Sequence, residues 1–277
     1  MKLGYNTNGL AHHRWDQALE LIAEAGYRSV AITVDHQWVN PFANSFVYDM
    51  RRLRKKLEQL QLDSVIETGA RFLLNPRRKH EPTLVSATQV ERDARIDFLC
   101  RCVDIAGELG SQAVSFWSGI LSEKLPRDDA MLKLAAGCRK VLLHAERRNV
   151  PLAFEPEPGM FIATMDDFSD LLRECDGPGF GLTIDVGHVH CVETKSIPEV
   201  LRDWGDRIRN IHIEDMLRGI HEHLPFGEGT IDFPPVLAAL KEINYQGGVH
   251  VELSRHSHEA PTQLRKAYEF LTSIPAS

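Results

Sequence analysis

The sequence predicts an α/β fold, a single (β/α)8 TIM barrel forming one domain over residues 1–277. Three observations carry this. Eight short, apolar, β-branched runs alternate with eight longer amphipathic segments, and Gly, Pro, Asp or Asn marks each change of period. Strands alternating with helices imply right-handed crossovers and a parallel sheet. No Pro/Gly/Ser-rich linker or charge block separates two halves, so the 277 residues fit one barrel with extended loops better than two doubly wound domains.

In order, the first strand is Lys2 to Tyr5, followed by a helix over Asp16 to Ala25 that stops at Gly26. Strand two is Ser29 to Val34, with a helix through Asp49 to Leu60. Strand three is Ser64 to Glu67, with a long helix from Gln89 to Leu109. Strand four is Ala113 to Phe116 and its helix Asp129 to Arg148. Pro151 to Phe154 is strand five, with helix Met165 to Arg173. Gly181 to Ile184 is strand six, with a short helix Ile197 to Arg202. Arg209 to Ile213 is strand seven, with helix Pro234 to Ile243. Gly248 to Leu253 is strand eight, and Pro261 to Leu271 closes the chain.

Composition narrows the function classes. Hydrophobic residues at 43% and charged residues at 26% exclude a disordered, collagen-like or membrane-spanning chain. A net charge of −7 has the wrong sign for gripping phosphate backbones, so no nucleic-acid partner is expected. The five cysteines form no Cys-x-x-Cys pair and read as reduced thiols. The N-terminal MKLGYNTNGLAHHRW carries no signal-peptide or membrane segment, which makes the cytoplasm the expected location and a membrane partner unexpected. Eight of the thirteen histidines fall between positions 188 and 258, where an even spread would put about three.

In a barrel of this type the active site lies at the C-terminal ends of the strands, so polar residues there are candidates by position alone. Strand five ends in AFEPEPG, strand six in TIDVGHVH, strand seven in NIHIED and strand eight in HVELSRHSH. Four consecutive strands present acid or imidazole at one end, with Glu155, Asp185, His212 and Glu252 as the one-per-strand set. An oxygen-rich set with one nitrogen suits a single divalent ion, Mn²⁺, Mg²⁺, Co²⁺ or Zn²⁺. The bland alternative is a polar barrel mouth of solvated or salt-bridged groups.

Other residues admit two readings. His188, three residues past Asp185, is a ligand, an orienting group or a substrate donor, or else a solvated rim histidine. Arg218 has the planar fork to hold a substrate hydroxyl, carboxylate or phosphate, or is a surface arginine. Glu157 competes with Glu155. His250, on the same strand face as Glu252, reads as a near-core histidine, and His221, His223, His256 and His258 read as loop residues. The loop Gly69 to Leu84 carries Arg71, Arg77, Arg78, Lys79 and His80, a positive patch suited to an anionic substrate group or simply solvated. Trp38, Trp117 and Phe161 lie near strand ends and either wall a sugar pocket or pack.

At these residues the chain resembles the xylose isomerase-like sugar phosphate isomerase/epimerase superfamily, which includes ketose 3-epimerases, hydroxypyruvate isomerase and inosose dehydratase. The matching pieces are FEPEPG at 154–159, IDVGH at 184–188, IHIEDMLRG at 211–219, PFGEGTIDF at 225–233 and HVEL at 250–253, with the opening LGYNT. The likeness covers nearly the whole chain. It implies one divalent metal held by Glu155, Asp185, His212 and Glu252, and substrate contacts from His188 and Arg218. It implies, too, proton transfer through an enediolate with Glu155 and Glu252 as the catalytic pair, acting on a sugar, a sugar phosphate or a related hydroxy-carbonyl compound. A small-molecule partner and a homodimer are the corresponding expectations.

Two other outcomes share the fold. An inosose-type dehydratase would use the same metal site and expel a β-hydroxyl. Endonuclease IV, a more distant relative with three zincs, needs further early-strand histidines and an Asp-x-His pair after strand seven. Here that region reads HEH at 221–223 and the pair is not evident. A noncatalytic barrel is opposed by the intact four-residue set.

Overall fold

The computed structural model describes residues 1–275. Eight parallel strands close into a barrel: β1 (Lys2–Asn6), β2 (Ser29–Thr33), β3 (Asp63–Glu67), β4 (Val114–Phe116), β5 (Leu152–Phe154), β6 (Phe180–Asp185), β7 (Ile208–Ile213) and β10 (Gly248–Val251), with β10 hydrogen-bonded to β1. The expected strands are all present, within a few residues at each end. β2, β4, β5, β6 and β10 are buried along their whole length, as strands covered by helices on one face and by the barrel core on the other must be.

The outer helices are α1 (Trp15–Glu24), α2 (Phe46–Leu60), α3 (Gln89–Leu109), α4 (Arg127–Arg148), α5 (Met165–Glu174), α6 (Val186–Val192), α7 (Ile197–Trp204), α8 (Phe233–Glu242) and α9 (Ala260–Ser273). Their ends follow local chemistry. Thr88 and Glu91 form a capping box that starts α3, and Gly110, at φ 68°, ends it in a conformation that costs glycine nothing. Thr164 and Asp167 do the same for the start of α5. Phe116, Phe154, Phe168 and Phe180 knit β4, β5, β6 and α5 together with centroid separations of 5.1–6.3 Å, edge-to-face contacts among them.

Two elements escaped the sequence reading. α6 follows β6 with no loop between them, because Asp185 both ends the strand and caps the helix, its Oδ1 accepting the backbone N–H of His188 at 2.8 Å. After β7 a small antiparallel hairpin, β8 (Asp215–Leu217) and β9 (Ile220–Leu224), stands outside the barrel. Leu217 pairs with Ile220, so Arg218 and Gly219 form a two-residue turn, with Gly219 at φ 76°.

One irregularity serves the strand ends directly. The register between β6 and β7 shifts at Leu182/Thr183, so that Leu182 faces Ile208 but Thr183 faces Asn210. The extra residue in β7 brings Asp185 opposite His212; without it Asp185 would face Ile211.

Below this level the barrel interior is polar. His250 is fully buried, its Nδ1–H donating to Asn210 Oδ1 at 2.8 Å and its Nε2 accepting from the Ser29 hydroxyl at 2.8 Å. The expectation of a near-core histidine holds. Gly4 and Gly248 make room for its ring, since a Cβ on either would stand 2.3 Å from an imidazole carbon.

Candidate active site

The C-terminal mouth holds a cavity of about 450 Å³. At its floor His212, from β7, is nearly surrounded by carboxylates. Its Nδ1 lies 2.8 Å from Glu252 Oε2, 3.2 Å from Glu155 Oε1 and 3.9 Å from Asp185 Oδ2. Its Nε2 lies 2.9 Å from Glu67 Oε1 on the opposite ring edge. Glu67 also accepts from Asn210 Nδ2 at 3.0 Å, which joins the site to the His250 layer beneath it. Asn8 donates to Glu252 Oε1 at 2.7 Å and so leaves Oε2 to face His212.

The one-per-strand set is therefore brought together: Glu155, Asp185, His212 and Glu252 offer ligand atoms within 4.8 Å of one another. Asp185 Oδ2 is buried with no hydrogen-bond partner, although its sister oxygen caps α6. An orphaned, enclosed carboxylate oxygen facing an imidazole and two further carboxylates fits a divalent cation, since such a group is otherwise costly to bury. Three carboxylates and one imidazole are the donor chemistry of Mn²⁺, Mg²⁺, Co²⁺ or Zn²⁺.

Electrostatics agree. Burial opposes charge on His212, but Glu67, Glu252 and Glu155 outweigh it and raise the imidazole well above its ordinary range. Burial pushes Glu155 up to about 8 despite the neighbouring His212. Glu252 shares that burial, yet His212 beside it holds it below the usual carboxylate range. Carboxylates crowded this tightly call for a positive charge among them.

The remaining expected residues separate. His188, on the first turn of α6, is buried and lines the cavity, with Nδ1 3.6 Å from Glu155 Oε1 and Nε2 3.7 Å from Asp185 Oδ2. Arg218 does not line it. The side chain at the hairpin turn is exposed and donates to the carbonyls of His190 at 3.1 Å and Glu193 at 2.5 Å, at the C-terminal end of α6. Glu157 lines the cavity, with burial first and Glu155 second raising its carboxyl well above the ordinary value. Trp117 lines the cavity, Trp38 is buried in the core, and Phe161 lies under the Arg127 guanidinium at 5.5 Å. Of the basic loop, Arg71, Lys79 and His80 reach the cavity. Arg71 is fixed there by Asp35 and the Asn8 carbonyl, each at 3.1 Å, while Arg78 turns away to Glu91 at 2.8 Å.

His221 and His223, read from sequence as loop residues, are on β9 and line the cavity beside His188. Glu67 and Glu214 were not singled out. Glu67 ends strand three and satisfies the same positional criterion that found the other four. Glu214 follows β7 and is fully enclosed. Its Oε2 is 3.7 Å from His223 Nδ1, and burial with Asp185 alongside raises its carboxyl well above the ordinary value.

A family model of the xylose isomerase-like TIM barrel matches residues 19–274. The chain belongs to that family. Among its relatives within this xylose isomerase-like group is the L-ribulose-5-phosphate 3-epimerase UlaE of Salmonella paratyphi C, 22% identical over 271 residues, covering 95% of this chain and 90% of that protein. Solved structures of the same fold include a D-allulose 3-epimerase from Methylomonas sp. in complex with D-allulose. It has a TM-score of 0.77 and 18% identity and covers 99% of this chain and 97% of that one. The IolI protein with a bound zinc atom has a TM-score of 0.78 and 18% identity, covering 99% and 98%. Among the described residues no helix is long and apolar enough to cross a membrane.

Proposed function

We propose that this xylose isomerase-like barrel is a metal-dependent isomerase or epimerase acting on a sugar, a sugar phosphate or a related hydroxy-carbonyl compound by moving a proton at the carbon next to the carbonyl. The observation that carries the reading is the pair Glu155 and Glu252, which approach one imidazole nitrogen from separate strands at 3.2 and 2.8 Å on the floor of the cavity. Epimerase relatives and a zinc-bound structural neighbour support it.

Glu155, Asp185, His212 and Glu252 would hold the ion. A divalent cation there supplies Lewis-acid stabilisation of the oxyanion that develops as the carbon acid loses its proton. One glutamate removes the proton and the other returns it, to the opposite face for epimerisation or to the neighbouring carbon for isomerisation. The configuration of the substrate carbon sets which glutamate starts. Asn8 holds the Glu252 carboxylate in place, and Glu67 does the same for the His212 ring. Buried His188 is placed to donate to a substrate oxygen, while Arg71 and Lys79 offer positive charge to an anionic end. Arg218 acts at a distance, by tying down the end of the helix that carries His188.

The test is solvent exchange. The Mn²⁺-loaded protein in D₂O is incubated with a panel of free ketoses, ketose phosphates, inosose and hydroxypyruvate, and NMR follows loss of the α-proton signal. Exchange with at least one compound is expected, reduced about 10²- to 10⁴-fold in Glu155→Gln and Glu252→Gln. No exchange anywhere in the panel by metal-loaded protein would sink the reading.

A further inference from the structure

We propose that Asn210 and His250 are positioning residues: they form a directed hydrogen-bond chain through the barrel core that sets the Glu67 carboxylate on His212, and so decides which nitrogen of that imidazole faces the cavity. The inference rests on the metal-dependent reading and deepens it, and part of its test needs no metal.

The chain starts at Ser29, the first residue of β2. β1 lies between β2 and β10, and its Gly4 pairs with Ser29 on one side and with His250 on the other. A side chain there would part them, since a Cβ on Gly4 would stand 2.3 Å from His250 Cδ2 and 2.9 Å from its Nε2. The bare backbone lets the imidazole reach across β1 to the Ser29 hydroxyl at 2.8 Å. From there the links run from His250 Nδ1 to Asn210 Oδ1 at 2.8 Å, from Asn210 Nδ2 to Glu67 Oε1 at 3.0 Å, and from Glu67 Oε1 to His212 Nε2 at 2.9 Å. Ser29, His250 and Asn210 are fully buried, so water does not compete for these bonds.

Donor and acceptor types give the chain its direction. A carboxylate only accepts, so Asn210 turns its NH₂ to Glu67 and its carbonyl oxygen to His250. That oxygen also only accepts, so His250 carries hydrogen on Nδ1 and leaves Nε2 to accept from Ser29. A turned amide would set two oxygens face to face at 3.0 Å and would force His250 onto its other tautomer, so amide and imidazole lock one another. Thr183 adds a third hold. Its Oγ1 lies 3.4 Å from Asn210 Nδ2, while its own hydroxyl donates to Ser115 Oγ at 2.8 Å. The register shift between β6 and β7 puts it there, placing Thr183 opposite Asn210 as it places Asp185 opposite His212.

The consequence falls on His212. Asn210 holds Glu67 Oε1 against the ring, which commits the ring N–H to Nε2. The lone pair of Nδ1 is then left for the side on which Glu155, Asp185 and Glu252 converge.

The experiment reads the chain by NMR and its effect by metal affinity. In metal-free protein labelled with ¹⁵N in its histidine rings, His250 should carry hydrogen on Nδ1 at neutral pH, and an unprotonated Nδ1 overturns the proposal. The His212 Nε2 signals should shift in Asn210→Leu and also in His250→Phe, two links away; signals that stay in place overturn it. In a chelator competition each variant should bind Zn²⁺ about 10-fold more weakly than wild type. The double variant should bind no more weakly than Asn210→Leu alone, because both substitutions act through one chain. Wild-type affinity in both variants, even with a lowered unfolding midpoint, or losses that simply add, overturns the proposal. A wild type that takes up no divalent ion sinks the metal-dependent reading instead, and the His212 signals then decide on the chain. Should the variants not fold, the protonation of His250 Nδ1 in the wild type decides.

Discussion

Nε2 of His212 lies 2.9 Å from Glu67 Oε1, across the ring from the nitrogen that faces Glu155 and Glu252. A carboxylate there fixes the N–H on Nε2, aims the Nδ1 lone pair at the cavity and raises its basicity. Glu67→Gln keeps the shape but loses the charge. It should weaken divalent-ion binding about 10- to 100-fold in a chelator competition, with the unfolding transition little changed. Unaltered affinity would reduce Glu67 to packing.

Arg218 and Arg71 should part company on substitution. Arg218 serves two carbonyls at the end of α6, so Arg218→Ala should act mainly on stability, lowering Tm by about 2–4 °C for a loss near 1 kcal/mol. Arg71 is clamped by Asp35 and faces the cavity, so Arg71→Ala should raise KM for a phosphorylated or carboxylated substrate far more than for a neutral sugar. Equal effects on both substrate types would remove Arg71 from anion recognition.

Two glycines make a contrasting pair. A methyl at Gly4 would meet His250 Cδ2 at 2.3 Å with Ser29 backbone behind it, so Gly4→Ala should cost about 1–3 kcal/mol in a urea titration. Gly107, inside α3, has only Val150 Cγ2 near, at 3.8 Å. Gly107→Ala should stabilise by about 0.5–1 kcal/mol through helix entropy alone.

Acid should weaken the fold through buried neutral histidines. Burial lowers His80 from 6.5 to about 4, with Lys79, Arg95 and Arg71 adding to it against the Gly69 carbonyl. Burial, with His212 nearby, lowers His250 to about 3. Below pH 6.5 these histidines take up protons in the unfolded chain that the folded chain refuses, so their contribution to stability falls as pH drops from 6.5 toward 4 and is absent above pH 7. His80 alone accounts for up to about 3 kcal/mol of that slope. Urea midpoints measured from pH 7 to 4.5 should therefore shift relative to each other, the wild type losing ground to His80→Gln as pH falls. An unchanged slope in the variant would show that His80 titrates normally.

Much of this was legible beforehand, for a physical reason. A barrel sends every strand's C-terminal end to one face, so residues far apart in the chain, such as Glu155 and Glu252, could be placed together without knowing any side-chain position. Glu67 obeyed the same rule but lay outside the run of four consecutive strands. His221 and His223 were obscured because β9 is a five-residue, partly exposed strand whose existence depends on pairing with β8. The alternation Ile-His-Glu-His-Leu was its only local signal. The same hairpin explains Arg218: its offset from His212 suggested the cavity, but the two-residue turn faces it away.

Asp185 ends a strand, starts a helix and keeps a buried, unpartnered oxygen 3.9 Å from His212 Nδ1. That triple duty leaves no hinge on this side of the mouth, since any swing of α6 would drag the carboxylate with it. The far rim is pinned differently, by side chains: Arg71 bonds to Asp35 and the Asn8 carbonyl, and His80 to the Gly69 carbonyl. One rim of the mouth is thus held by the backbone itself, and the other by an ion pair and hydrogen bonds that a charged substrate could compete for.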